Sequence, residues 1–317
     1  MRPKDIQVSQ FLNAKLCQFE IEIVRLPGLA TPQNRLAFVS QLLESIHRIE
    51  YVKVISGQLP VNGRIRQISR NCIDPNQSVF DPLKAAVLEQ SSGNHDNACW
   101  LVFLATHFGK NLHSGWALAR NYYGQLGSGD IWDWHTIVAD PKASRKWFRR
   151  NQIELFATGK FGNHRKYQSI DADKPNGTGD AIESYIEWVK KTGSHIQIIR
   201  DLHITHGQNP RTVFAEMYRQ LDEVRSFGRT AKFDYLTMLG KLGLAPVEPG
   251  STYMTGSTGP LDGARLLFGE PDGKPKTLDT HLISLGDILE LPFSMQILED
   301  ALCNWQKSPA QFIPFRG

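Results

Sequence analysis

The residues best suited to chemistry lie in Arg225-Ser-Phe-Gly-Arg-Thr-Ala231, between two segments of helical periodicity at 211–224 and 233–243. Two helices joined by a tight turn around a glycine make a helix–hairpin–helix, whose turn exposes backbone N–H groups and a helix N-terminus. That is a natural cradle for a DNA phosphate. Phe227, Gly228 and Thr230 form the turn, and Arg225, Arg229 and Lys232 supply positive charge. An ordinary αα-hairpin bent at Gly228 fits the same residues, and the local pattern leaves both readings open.

Other familiar sites fail on chemistry. Gly124-Gln-Leu-Gly-Ser-Gly129 follows an aromatic helical segment, whereas a dinucleotide loop follows a strand. Gly250-Ser-Thr-Tyr-Met-Thr-Gly-Ser257 has Walker-like glycine spacing without the lysine that reaches the phosphates. His203-Ile-Thr-His206 lacks a third metal ligand at a recognisable spacing. The four cysteines never form C-x-x-C, which excludes zinc-ribbon and clustered iron–sulfur spacings. No cofactor is implied.

The elements that must position the hairpin read as mainly α. A helix is expected from Pro32 through Val54, another from Asp81-Pro82, and a buried one over 95–107 that is apolar nearly all round. Short aromatic-rich helical pieces follow over 113–158, then helices at 181–191, 211–224 and 233–243, and a last one over about 281–306. Residues 16–26 allow a strand or a helix, and 246–275 form a Gly/Pro-rich stretch of little periodicity. The organisation expected is a central lobe, 85–245, that includes the hairpin, with 1–84 and 246–317 pairing into a second lobe. The net charge of +4 permits a nucleic-acid partner without demanding one. The longest apolar run, Ala98–Ala105, is too short for a membrane span, and the first residues lack a signal peptide's apolar core. A soluble, cytoplasmic protein without an obligate protein partner is expected.

Several segments carry a resemblance over about residues 35–308. They are Gln41-Leu-Leu-Glu-Ser45 and Cys99-Trp-Leu-Val-Phe-Leu-Ala-Thr-His-Phe-Gly109, then Phe161-Gly-Asn-His-Arg-Lys-Tyr167 and Phe227-Gly-Arg-Thr-Ala-Lys-Phe-Asp-Tyr-Leu236. Thr258-Gly-Pro-Leu-Asp-Gly-Ala-Arg-Leu-Leu-Phe268 and Glu299-Asp-Ala-Leu-Cys-Asn-Trp-Gln-Lys-Ser308 complete the set. Together they resemble the alpha-glutamyl/putrescinyl-thymine pyrophosphorylase family, a helix–hairpin–helix DNA glycosylase-like group, and within it a phage-defence glycosylase branch. The resemblance implies a two-lobed glycosylase-like fold and double-stranded DNA carrying modified pyrimidines as substrate. The reaction implied is monofunctional excision of a bulky modified pyrimidine, such as glucosylated hydroxymethylcytosine, by base flipping. A transferase acting on activated 5-hydroxymethyluracil in DNA and a non-catalytic reader of modified DNA are the alternatives.

The resemblance also implies site residues. Glycosylases of this kind place a carboxylate about twenty residues past the last hairpin glycine, where it stabilises positive charge on the deoxyribose. Glu248 stands there relative to Gly228 and is the first choice. Asp234, one helical turn past the hairpin, and Asp279, in Leu278-Asp-Thr-His281, are competitors. Asn163 and His164 are expected to face the flipped base, and Arg165 and Lys166 to bind phosphate or the modification. The amine of a bifunctional glycosylase would stand two residues past the hairpin glycine, where this chain has Thr230.

Overall fold

The computed structural model describes residues 3–61, 63–165 and 168–314. Fourteen α-helices and two isolated β-bridges make up its regular structure, with short 3-10 turns between them. The chain divides into two units, residues 1–51 with 248–316 and residues 52–247. The boundaries of the sequence reading, 84/85 and 245/246, differ from these.

The first unit contains α1 (Pro3–Glu22), most of α2 (Pro32–Ile55), α12 (Gly259–Phe268), α13 (Pro275–Leu289) and α14 (Ser294–Trp305). Residues 16–22, open to either reading in the sequence, are helical because Leu12, Leu16 and Phe19 recur at helical spacing and are fully buried. Helix α12 falls within the stretch expected to lack periodicity. Its Gly259 and Gly263 lie against Cys303 and Leu302 of α14, where a Cβ would come within 2.9 and 2.4 Å of the neighbouring helix. The single last helix of the sequence reading is two helices. Pro292 interrupts the run, and Glu290 and Phe293 adopt left-handed backbone (φ 54° and 59°).

The second unit is built on α4 (His95–Phe108), of which residues 98–105, 107 and 108 are buried. Helices α3 (Pro82–Ser91) and α11 (Arg229–Leu242) pack on it. Around them run α5 (Ala117–Tyr123), α6 (Trp134–Ala139), α7 (Pro141–Thr158), α8 (Thr178–Lys190), α9 (His195–His206) and α10 (Pro210–Gln220). The sequence reading assigns no element to 195–206; His195, Ile198 and Leu202 form the buried side of α9. Aromatic side chains dominate this core. Phe103 stacks on Tyr185 (centroids 3.9 Å), and Trp100 donates from Nε1 to Trp132 O at 2.7 Å. No helix of the described residues is long and apolar enough to cross a membrane.

Candidate functional site

The two helices of the hairpin are α10 and α11. Asn209 caps α10, accepting at Oδ1 from the N–H groups of Arg211 (2.9 Å) and Thr212 (3.3 Å). After Gln220 the chain tightens into a 3-10 turn at Leu221–Glu223. Val224 and Phe227 then anchor the bend in the core, Phe227 stacking on Phe103 (5.4 Å) and meeting Tyr235 in a T-shaped contact (5.8 Å). Ser226, with φ 59°, takes the left-handed position that a glycine usually fills. Its hydroxyl donates to Asn176 O, and Gln168 Nε2 donates to Ser226 O at 3.4 Å.

Gly228 is therefore not the bend. It is the N-cap of α11, in extended backbone (φ −68°, ψ −174°), and brings no side chain to the helix N-terminus. A Cβ there would meet nothing within 4 Å. Arg229 lies over the ring of Phe233 at 5.2 Å, and Thr230 is half-buried. Lys232 turns inward. Its Nζ pairs with Asp222 and sits 4.1 Å above the Tyr218 ring, leaving 9% of the side chain exposed. It staples α11 to the end of α10 instead of presenting a cation to the outside.

The segment 161–165 is locked to the end of α4 by close backbone approach. Gly162 N donates to Phe108 O at 2.8 Å, and a Cβ on Gly162 would lie 2.9 Å from the backbone of Gly109. Asn111 Nδ2 donates to Phe161 O, and Phe161 stacks on Phe108. Arg165 is thereby buried, with Nε donating to Thr106 O at 2.9 Å, one of the carbonyls left open at the end of α4. Its Nη2 reaches Asp234 Oδ2 at 3.4 Å, and His164 Nδ1 lies 3.6 Å from the same oxygen. Asn163 is exposed, and Lys166 lies outside the described residues.

The Asp234 side chain remains 37% accessible. Desolvation works against its charge, but the His164 hydrogen bond and the charges of Arg165, His164 and Lys241 outweigh it, so the carboxyl titrates below its ordinary range. Burial draws the Arg165 guanidinium down from its usual value, and Asp234 offsets part of that. His107, behind the cluster, is buried and titrates at about 3, lowered by desolvation and by the charge of Arg165. His107 Nε2 lies 3.0 Å from Thr178 Oγ1, whose hydroxyl donates to Ser169 O. The imidazole is thus neutral, with its proton on Nε2. The cluster can hold a fixed negative charge at a partly open surface.

The other two carboxylates are engaged within the first unit. Glu248 Oε1 accepts from Phe293 N at 3.0 Å, just before α14. Asp279 accepts from Ser251 Oγ (2.5 Å), Thr252 N (3.0 Å) and Thr252 Oγ1 (2.5 Å), fastening that loop to α13. Of the candidate residues, the second unit gathers Asp234, His164 and Arg165. Sequence reasoning missed Lys241, which stands seven residues after Asp234, two turns along the same face of α11, and contributes to its electrostatics. That spacing was a usable signal. Among the described residues no group of three His, Cys, Asp or Glu could hold a metal ion, and His206 has Glu216 at 4.0 Å.

The fold and site define a mainly helical protein with a carboxylate–arginine–histidine cluster beside a helical hairpin. More narrowly, the chain belongs to the alpha-glutamyl/putrescinyl thymine pyrophosphorylase clade 3 family, which matches residues 33–317. No curated protein and no solved structure matches it.

Proposed function

We propose that this protein is a monofunctional DNA N-glycosylase that flips a bulky modified pyrimidine out of phage DNA and excises it, leaving an abasic site, in antiviral defence. The carrying observation is Asp234: a partly accessible carboxylate held by Arg165 and His164, six residues past the N-cap of α11. Cleavage breaks the C1′–N1 bond, and its electron pair leaves with the base. Asp234 stabilises the positive charge that develops on the sugar, and water adds at C1′, its proton ending on the departing base. A carboxylate with a lowered pKa suits this electrostatic role better than general-base work, which favours a pKa near the operating pH. Gly228 and the open end of α11 receive a DNA phosphate, with Arg229 and Thr230 beside it. Asn163 and His164 face the flipped base.

The family's description supports a second reading, a transferase that displaces pyrophosphate from an activated 5-hydroxymethyluracil in DNA. Arg165 and His164 beside the site would then stabilise the leaving pyrophosphate. One experiment separates the two. Protein is incubated with DNA carrying glucosylated hydroxymethylcytosine, and separately with DNA carrying 5-hydroxymethyluracil pyrophosphate plus an amine or amino acid. Free base and abasic sites from the first DNA support the glycosylase. Pyrophosphate release from the second, with no free base from either, replaces it with the transferase.

A further inference from the structure

Helix α7 and the turn before α5 carry features that the Asp234 cluster does not use. One solvent face of α7 bears Lys142, Lys146, Arg149 and Arg150, and toward its C-terminus Ile153 (84% exposed) and Phe156 (60%). At 100° per residue these six fall within one arc, opposite the buried Ser144, Phe148 and Leu155. Arg149 pairs with Asp173, whereas Lys142, Lys146 and Arg150 make no ion pair among the described residues.

The C-terminal end of α7 abuts the turn at 111–115. Lys160 N donates to Ser114 Oγ at 3.2 Å, and Gly159 lies against Ser114 and Ala117. That turn is rigid. Asn111 and Gly115 exchange both backbone hydrogen bonds at 2.9 Å, and Asn111 Oδ1 accepts from His113 N and Ser114 N. Its tip holds Leu112, 69% exposed. Asn111 also donates to Phe161 O, so the tip is fixed to the same segment that carries His164 and Arg165.

Single exposed apolar residues are ordinary. Here three stand at the end of a basic stripe in which Arg149 is paired with Asp173 and the other three cations make no ion pair among the described residues. One of the three apolar residues is on a braced turn, and that combination has a specific physical use. Cations along a helix face track phosphates, and an apolar side chain on a rigid support can enter a base step and hold it open. We propose that the solvent face of α7 and the Asn111–Gly115 turn form a duplex-DNA-binding surface. Lys142, Lys146 and Arg150 contact phosphates, and Leu112 acts as a wedge in the base stack, with Ile153 and Phe156 covering the exposed bases. This rests on the reading of the chain as a DNA enzyme.

The test uses the full-length protein and an unmodified duplex containing 2-aminopurine, which brightens when unstacked. Wild type should bind, and brighten the probe at saturation. Lys142→Ser/Lys146→Ser/Arg150→Ser should bind at least about 10-fold more weakly at low salt, with a salt slope reduced by about 3, one per phosphate contact. Leu112→Ser should bind within about 3-fold of wild type and lose the fluorescence rise, a small affinity cost being usual when one contact among many is removed. Circular dichroism and melting checks that both variants fold, as these side chains are exposed. A triple variant with wild-type affinity and slope, or a Leu112→Ser protein that still brightens the probe, overturns the surface while leaving the DNA reading intact. No binding by wild type overturns both.

Discussion

Arg165 and Asp234 meet across 69 residues of sequence, Nη2 to Oδ2 at 3.4 Å, and that contact joins the Phe161–Arg165 segment to α11. The guanidinium is buried and the carboxylate is partly open. Removing the buried partner and removing the open one therefore have different consequences, which separates structure from chemistry at this site.

Arg165→Met should lower the melting temperature, because Thr106 O and Asp234 lose a buried charged donor. A cost of about 1–3 kcal/mol is expected for groups left unpaired. Asp234→Asn should keep a hydrogen-bonding partner for Arg165, cost less stability, and reduce turnover by at least about 100-fold. Thermal melts beside single-turnover rates check the pair. A slow Arg165→Met of unchanged stability would show that the arginine acts in the reaction and not through folding.

Gly228 and Gly162 should respond in opposite ways to one added methyl group. Gly228→Ala meets open space, so stability should change little. Gly162→Ala drives a Cβ to within 2.9 Å of backbone at Gly109 and Lys110 and should cost about 1–3 kcal/mol. Gly228→Asp should give α11 an N-cap, holding or slightly raising the melting temperature, while its charge at the helix end weakens DNA binding by about 10-fold or more. Equal DNA affinity for Gly228→Asp and wild type would remove the phosphate from this helix end.

Acid should destabilise the protein before its carboxylates titrate. His107 and His195 are buried, with folded pKa values below the ordinary histidine value. Desolvation is the main cause at both, Arg165 lowering His107 further and Asp96 partly opposing the shift at His195. Below about pH 6.5 the unfolded chain takes up protons at these positions that the folded chain refuses. His107 alone should then remove on the order of 1.4 kcal/mol per pH unit until its own folded pKa is approached. Asp234, with a lowered folded pKa, adds a loss only at lower pH, as the pH falls through the carboxylate range toward that value. Denaturant melts from pH 7 to 4 check the slope, and His107→Gln should flatten it.

Borohydride should trap no covalent adduct with DNA. Thr230 occupies the position where a lyase would carry its amine, and the Lys232 amine is held by Asp222 and the Tyr218 ring. A trapped adduct that disappears in Lys232→Gln would show that this lysine leaves its pocket and would make the enzyme bifunctional.

The helices were legible where one feature decided them. Asp81-Pro82 starts α3, Pro210 starts α10, and the apolar run at 98–105 marks α4 as central. Helix α12 was hidden because its glycines, read as turn formers, serve helix packing against α14. The hairpin could be read from its flanking periodicity, yet the bend was misplaced: Ser226 holds the left-handed conformation and Gly228 caps the next helix. Spacing from Gly228 singled out Glu248, but linear distance does not show that this side chain hydrogen-bonds Phe293 N. Nor does it bring Arg165 to Asp234, a meeting that depends on Gly109 and Gly162 packing backbone to backbone.

The most direct test of Asp234 as the catalytic carboxylate compares base release by Asp234→Asn and Glu248→Gln, beside wild type, on DNA carrying glucosylated hydroxymethylcytosine. Mass spectrometry quantifies free modified base in a single turnover, and binding to the same DNA is measured in parallel. Glu248→Gln should stay within about 10-fold of wild type, while Asp234→Asn should bind DNA and release at least about 100-fold less base. Release that survives in Asp234→Asn and is lost in a folded, DNA-binding Glu248→Gln would take the catalytic role from Asp234 and give it to Glu248.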